Sequence, residues 1–266
     1  MTARRRFFLC VLWLALALPT TESYAGRACE EPQLDPNKLM QELELAQKTK
    51  LRLDQSQAEV AIIARVGQDL SKYHLRYSHL GLVRRQTDGR WNVLHELNQC
   101  GTAESELFDE GLGNFFMDDP FALETLILIP APAVQAKLRA VLESGQARQL
   151  HQKRYNMLAY AYSTAYQNSN QWGLEVLAAA LAGDVSIAGR EQAQAWLKLA
   201  SYQPTTLQIP AMTRLGARVL RANVSFDDHP MDRRMAGQIA TVTVESVASF
   251  LLAREPATAQ IVLSYP

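Results

Sequence analysis

Along this chain the apolar residues switch between helical and alternating spacing, and the switches set out the elements. After Asp35-Pro36, an acid at a cap with proline in the first turn, Leu39, Leu43, Ala46 and Leu53 share one face. That spacing predicts a helix to about Leu53. Ala58 to Arg65 alternates, with Val60, Ile62 and Ala64 on one side, and reads as a strand. Gly67-Gln68-Asp69 turns the chain into a second strand, Tyr77 to Arg85, with His79, Gly81 and Val83 on one face and Ser78, Leu80 and Leu82 on the other. Asp88-Gly89 is a hairpin signal, and Trp91 to Leu97 returns as a third strand carrying His95. If their faces coincide, His79 and His95 lie close enough to share a site. Cys100 to Pro120 looks like an acid-rich loop, and Leu126 to Ile129 a short strand stopped by Pro130. Helices are predicted over Val134–Leu142, Gln149–Ala161, a segment opening after Asn170, Glu191–Ala200 and about Ala211–Leu220. Asn223 to Pro230 is a polar loop, and the tail alternates from Ile239 to Val244 before turning helical through Phe250. Strands first and mixed helices afterwards predict an α+β fold.

A different pattern stands ahead of these elements. Arg4, Arg5 and Arg6 precede an apolar run from Phe7 to Leu18, broken by Pro19, and Ser23-Tyr24-Ala25 follows with small residues at the positions a signal peptidase reads. This predicts an export signal over residues 1–25, cut after Ala25, and a periplasmic or secreted mature protein; an uncleaved anchor is the alternative. An N-terminal extension with a helix is then expected over 26–57, and one α+β domain over 58–266. Without residues 1–25 the chain keeps 24 Lys plus Arg against 26 Asp plus Glu, a net charge of −2. Nucleic acid is therefore not expected as a partner, no basic run marks a lipid-binding patch, and no later apolar run approaches membrane-spanning length. The mature chain keeps Cys29 and Cys100. In an oxidising compartment the two can bridge, closing a loop of roughly 70 residues and stabilising by about 4 kcal/mol; the alternative is a reactive thiol.

Chemistry is carried by few residues. Nucleophilic catalysis needs an imidazole within reach of a hydroxyl or thiol and donors for an oxyanion. The polar helix start Asn168, Ser169, Asn170 and Gln171 offers free backbone N–H groups and one hydroxyl, although simple capping explains it equally. His79, His95, Asp109 and His229 are metal-ligand types, but their spacing fits no compact ligand pattern, so neither a metal nor another cofactor is expected.

The stretches Ala64-Arg65-Val66-Gly67-Gln68-Asp69-Leu70-Ser71, Tyr77-Ser78-His79-Leu80-Gly81, Asp109-Glu110-Gly111-Leu112-Gly113-Asn114-Phe115-Phe116, Tyr166-Gln167-Asn168-Ser169-Asn170-Gln171-Trp172 and Phe226-Asp227-Asp228-His229-Pro230 resemble the DUF2145 family of exported bacterial proteins. A more distant resemblance is to the circularly permuted papain-like proteins of the NlpC/P60 type, and it implies an antiparallel sheet packed against several helices. It also implies His79 as base and His95 as the polar member beside it. The cysteine of those hydrolases would fall at or near Gln171, which cannot serve as a nucleophile. The resemblance therefore implies an envelope protein whose pocket binds a cell-envelope ligand or partner protein, with Asn168, Asn170, Gln171, Asp109 and Asn114 supplying polar contacts. Its alternatives are an amide or ester hydrolase using Ser169 or Cys100 as nucleophile, and a structural envelope component.

Overall fold

The computed structural model describes residues 35–183 and 185–265. The expected signal over 1–25 and Cys29 lie outside the described residues. Helix α1 (Pro36–Ser56) begins where the Asp35 side chain accepts from Asn37 N at 2.9 Å, and it stops at Gln57, whose φ of 57° is left-handed. Next come strands β1 (Val60–Val66), β2 (His79–Arg85), β3 (Trp91–Asn98) and β4 (Ser105–Gly111), helix α2 (Leu112–Phe116) and strand β5 (Ala122–Ile129). Helices α3 (Pro132–Glu143), α4 (Gln146–Gln149), α5 (Ser169–Leu181) and α6 (Arg190–Leu199) follow. The chain closes with β6 (Thr205–Gln208), α7 (Ala211–Leu220), α8 (Met231–Met235), β7 (Gln238–Thr241), α9 (Val244–Arg254) and β8 (Ala259–Ser264).

Six strands form one antiparallel sheet in the order β4-β3-β2-β1-β5-β8, and β6 and β7 pair separately. The central β1 is buried along its whole length because both faces of the sheet are covered. Even-numbered residues Val60, Ile62, Ala64, Leu80, Leu82 and Leu94 face a layer containing Leu138 of α3, Trp172, Leu174 and Leu177 of α5, and Leu251 of α9. Odd-numbered residues Ala61, Ile63, Val83 and Val93 face Leu45 and Leu53 of α1 and Phe115 and Phe116 of α2. The helix of the N-terminal extension therefore shares a core with the sheet. Approach on the α5 side is close: a Cβ on Gly173 would overlap Leu80 Cδ1. The β2–β3 hairpin turns where expected, with Gly89 at φ +81°.

Two sequence readings are corrected. The acid-rich segment after Cys100 is not a loop but edge strand β4 followed by α2. Glu106, Asp109 and Glu110 are poor strand formers, yet charge suits a sheet edge. The helix expected over Gln149–Ala161 shrinks to α4 (Gln146–Gln149). Beyond it the backbone bonds outward instead: Tyr155 N to Ala103 O at 2.8 Å and Gln167 N to Arg154 O at 3.0 Å. Asn156 also turns the chain locally, its Oδ1 accepting from Leu158 N at 3.1 Å. Strands β6 and β8 had no clear signal, and β8 extends the sheet beside β5.

Candidate functional site

β2 and β3 are antiparallel, with Leu82 opposite Leu94, so His79 and His95 project from the same face. Their rings meet edge to face, and His79 Nε2 lies 2.8 Å from His95 Nδ1. His95 Nε2 in turn lies 2.9 Å from Glu110 Oε1 on β4. Glu110 pairs with Val93 and reaches diagonally across the ladder to His95. Asn114 of α2 lies beside Glu110 and helps to hold its carboxyl down. Phe115 packs on both imidazoles, and the Arg65 guanidinium stacks over Phe115 while donating to its carbonyl and to Asp118.

Protonation follows from these contacts. The His95 hydrogen bond holds the Glu110 carboxyl below the usual carboxylate range, so Glu110 is an anion that only accepts. Burial pushes His95 down, against the hydrogen bond to Glu110, which pushes it up. Burial also holds His79 well below the usual imidazole range, helped by the positive charges of Arg65 and of any imidazolium at His95. Both rings are neutral at pH 7. A neutral His95 must carry its proton on Nε2 to donate to Glu110, so its Nδ1 accepts. His79 must then donate from Nε2, which leaves its Nδ1 as an unprotonated acceptor. Glu110, His95 and His79 thus form a chain that fixes one tautomer at its end. Among the described residues no hydroxyl or thiol hydrogen-bonds His79.

The helix start at Asn168–Gln171 does not join this group. Leu80, next to His79, packs on Gly173 of α5, whereas His79 points into the opposite layer with Phe115. Asn168 is an N-cap: its Oδ1 accepts from Gln171 N at 2.8 Å and its Nδ2 donates to Thr241 Oγ1 at 3.0 Å. Ser169 is buried beside Tyr155. Gln171 is fully buried, its Nε2 3.4 Å from the carbonyls of Tyr160 and Ala161 and its Oε1 without a partner. Asn170 alone reaches β2: its Oδ1 accepts from Leu80 N at 3.1 Å and its Nδ2 donates to Ser78 O at 3.2 Å. That clamp fixes the backbone on either side of His79. Cys100 sits in the exposed turn after β3 and is engaged by a partner. Asp109 points away from the histidines and pairs with Arg84 and with Asn92 Nδ2. His229 is held by its neighbour Asp228 at 2.9 Å, and among the described residues no cluster of His, Cys, Asp and Glu has a metal-binding arrangement.

Sequence reasoning gave no role to Glu110, Arg65 or Glu96. Glu110 was hidden with β4; read as a strand, its alternation would have placed Glu110 on one face with Phe108. Arg65 is a lone cation in an otherwise apolar strand, and that was the available signal. Glu96 is fully buried on the α5 side, and neither carboxyl oxygen has a hydrogen-bond partner. Burial pushes its carboxyl up to about 8, against the nearby Ser105 hydroxyl. A second buried acid, Glu175, is fully satisfied by Gln167, Arg190 and Gln194.

Neither the curated proteins nor the solved structures contain a match to this chain. A bacterial family described as uncharacterized proteins conserved in bacteria, DUF2145, matches residues 52–251, which span the whole sheet except β8 and include His79, His95, Glu110 and the α5 clamp. The chain belongs to the DUF2145 family.

Proposed function

We propose that the mature chain is an exported bacterial envelope protein that binds a cell-envelope ligand at His79 without cleaving it. The observation that carries this reading is the Glu110–His95–His79 chain, which ends on an unprotonated Nδ1 and, among the described residues, has no hydroxyl or thiol bonded to it. Such a nitrogen accepts a hydrogen bond from a ligand amide or hydroxyl, and its fixed tautomer makes the contact directional. Titratable groups shifted by burial and by one another, as these three are, cluster at functional sites. From the papain-like resemblance the proposal keeps the strand histidine and its polar partner. It gives up Ser169 as nucleophile, because Ser169 lies across the sheet. Export through residues 1–25 and a Cys29–Cys100 bridge belong to the same proposal. A mature N-terminus at Gly26 and a Cys29–Cys100 peptide in a non-reducing digest are the corresponding mass-spectrometric results.

The test uses purified peptidoglycan sacculi as probe, with co-sedimentation and release of new amino groups both measured. Binding without release, lost in His79→Ala, supports the proposal. Release of amino groups that depends on His79 overturns it in favour of a hydrolase. Absence of both overturns it in favour of a structural component.

A further inference from the structure

Helix α7 (Ala211–Leu220) has no buried residue, although every other helix of comparable or greater length buries at least four. Its exposed side chains are not polar. Met212, Leu215, Val219 and Leu220 recur at the spacing of one helical face, and each is more than half exposed. Helix α8 (Met231–Met235) also buries nothing and exposes Met231 and Met235. The register of β6 and β7 brings the start of α7 to the end of α8: Gln208 pairs with Gln238, α7 follows Gln208, and α8 precedes Gln238. Ile209 N donates to Gly237 O at 2.9 Å at that junction. Six large apolar side chains thus stand exposed on the two helices that flank one end of the β6–β7 ribbon, more than isolated surface hydrophobics account for.

Charge narrows the choice of what covers them. From Thr205 to Gln238 the chain carries Arg214, Arg218, Arg221, Arg233 and Arg234 against Asp227, Asp228 and Asp232, a surplus of two positive charges. Arg214 is turned inward to donate to Ile209 O at 2.5 Å, while Arg218 and Arg233 are exposed. The sequence has no basic run; the fold sets this small surplus of cations, with Asp227 near Arg218, beside an outward apolar face. Apolar side chains that enter the acyl boundary, backed by cations within a Debye length of lipid headgroups, are the features of an interfacial helix. A second copy of the chain would cover the apolar side chains but would set like charges against each other.

We propose that the α7–α8 face docks on an anionic lipid surface. The probes are vesicles of phosphatidylcholine alone and of phosphatidylcholine with about one third phosphatidylglycerol, co-sedimented with the mature chain. Binding to the anionic vesicles, weakening as salt rises and much reduced on neutral vesicles, is the expected result. The triple substitution Met212→Ser, Leu215→Ser, Val219→Ser should lower vesicle affinity at least about tenfold, and Arg218→Gln about fivefold. These side chains are exposed, so circular dichroism should show unchanged folding, and sacculus binding should be unchanged as well. The latter separates this inference from the role given to His79. Failure to bind anionic vesicles, or equal binding by the triple variant, overturns the proposal. A dimer in sedimentation analysis that the triple variant converts to monomer, without vesicle binding, overturns it in favour of self-association.

Discussion

Replacing Glu96 by glutamine should stabilise the protein in a way that grows with pH. Glu96 is the one acid among the described residues with both oxygens buried and unpartnered, and its ionised form would lie near Glu175 in a medium that solvates charge poorly. The folded state therefore holds the Glu96 proton up to a pH of about 8, whereas the ordinary carboxyl loses it near 4.5. An acid whose folded pKa is raised stabilises the fold in acid, and that contribution is lost as pH rises from the unfolded to the folded value. Each tenfold change in proton activity is worth about 1.4 kcal/mol, so by pH 7 the loss is about 3 kcal/mol. The side-chain amide of the E96Q variant cannot ionise and carries no such loss. Urea unfolding of both proteins at pH 5, 6, 7 and 8 would measure this. The stability of E96Q minus that of the parent should rise by about 1 kcal/mol per pH unit across the window. A difference that stays flat from pH 5 to 8 would refute the reasoning, because every other titrating group is common to the two proteins. A constant offset is expected in either case, from the extra amide N–H group that the substitution introduces.

Other substitutions test the scaffold around His79. Asn170→Ala removes both hydrogen bonds that clamp β2 to α5 and should cost about 1–3 kcal/mol by denaturant melts; a loss under about 0.5 kcal/mol, at the low end of a single net hydrogen bond, would mean the clamp is dispensable. Gly173→Ala forces Leu80 to move at the helix–sheet contact and should destabilise by about 1–3 kcal/mol, despite the better helix propensity of alanine. Because His79 is held neutral when folded, its contribution is present above the ordinary imidazole range and is lost as pH falls below it. His79→Gln should therefore flatten the loss of thermal stability between pH 7 and 5, and an unchanged slope would argue against a buried neutral imidazole.

The sheet core was legible because its strands alternate cleanly. His79 with Gly81 and Val83, and His95 with Trp91 and Val93, could be placed on matching faces, and the Asp88-Gly89 turn fixed the hairpin between them. The edge strand was not legible, since Ser105–Gly111 is half acidic and its strand state comes from pairing with β3 rather than from its own propensity. Glu110 was lost with it, although Asn114 and Asp109 were singled out from the same segment. The Asn168–Gln171 helix start was located correctly, but which layer it served was not readable. That depends on α5 packing over Leu80, a contact set by Gly173 and the tertiary fold. The outward apolar face of α7 has the same periodicity as a buried helix, and periodicity alone does not say which side meets the protein.

The most direct test of the Glu110–His95–His79 chain is a nitrogen-15 NMR assignment of the histidine tautomers in the purified protein at pH 7. Neutral His95 and His79 should both carry the proton on Nε2, and in Glu110→Ala the His95 preference should weaken. A His79 protonated on Nδ1, or an imidazolium at either position, would contradict the proposed ligand-accepting nitrogen.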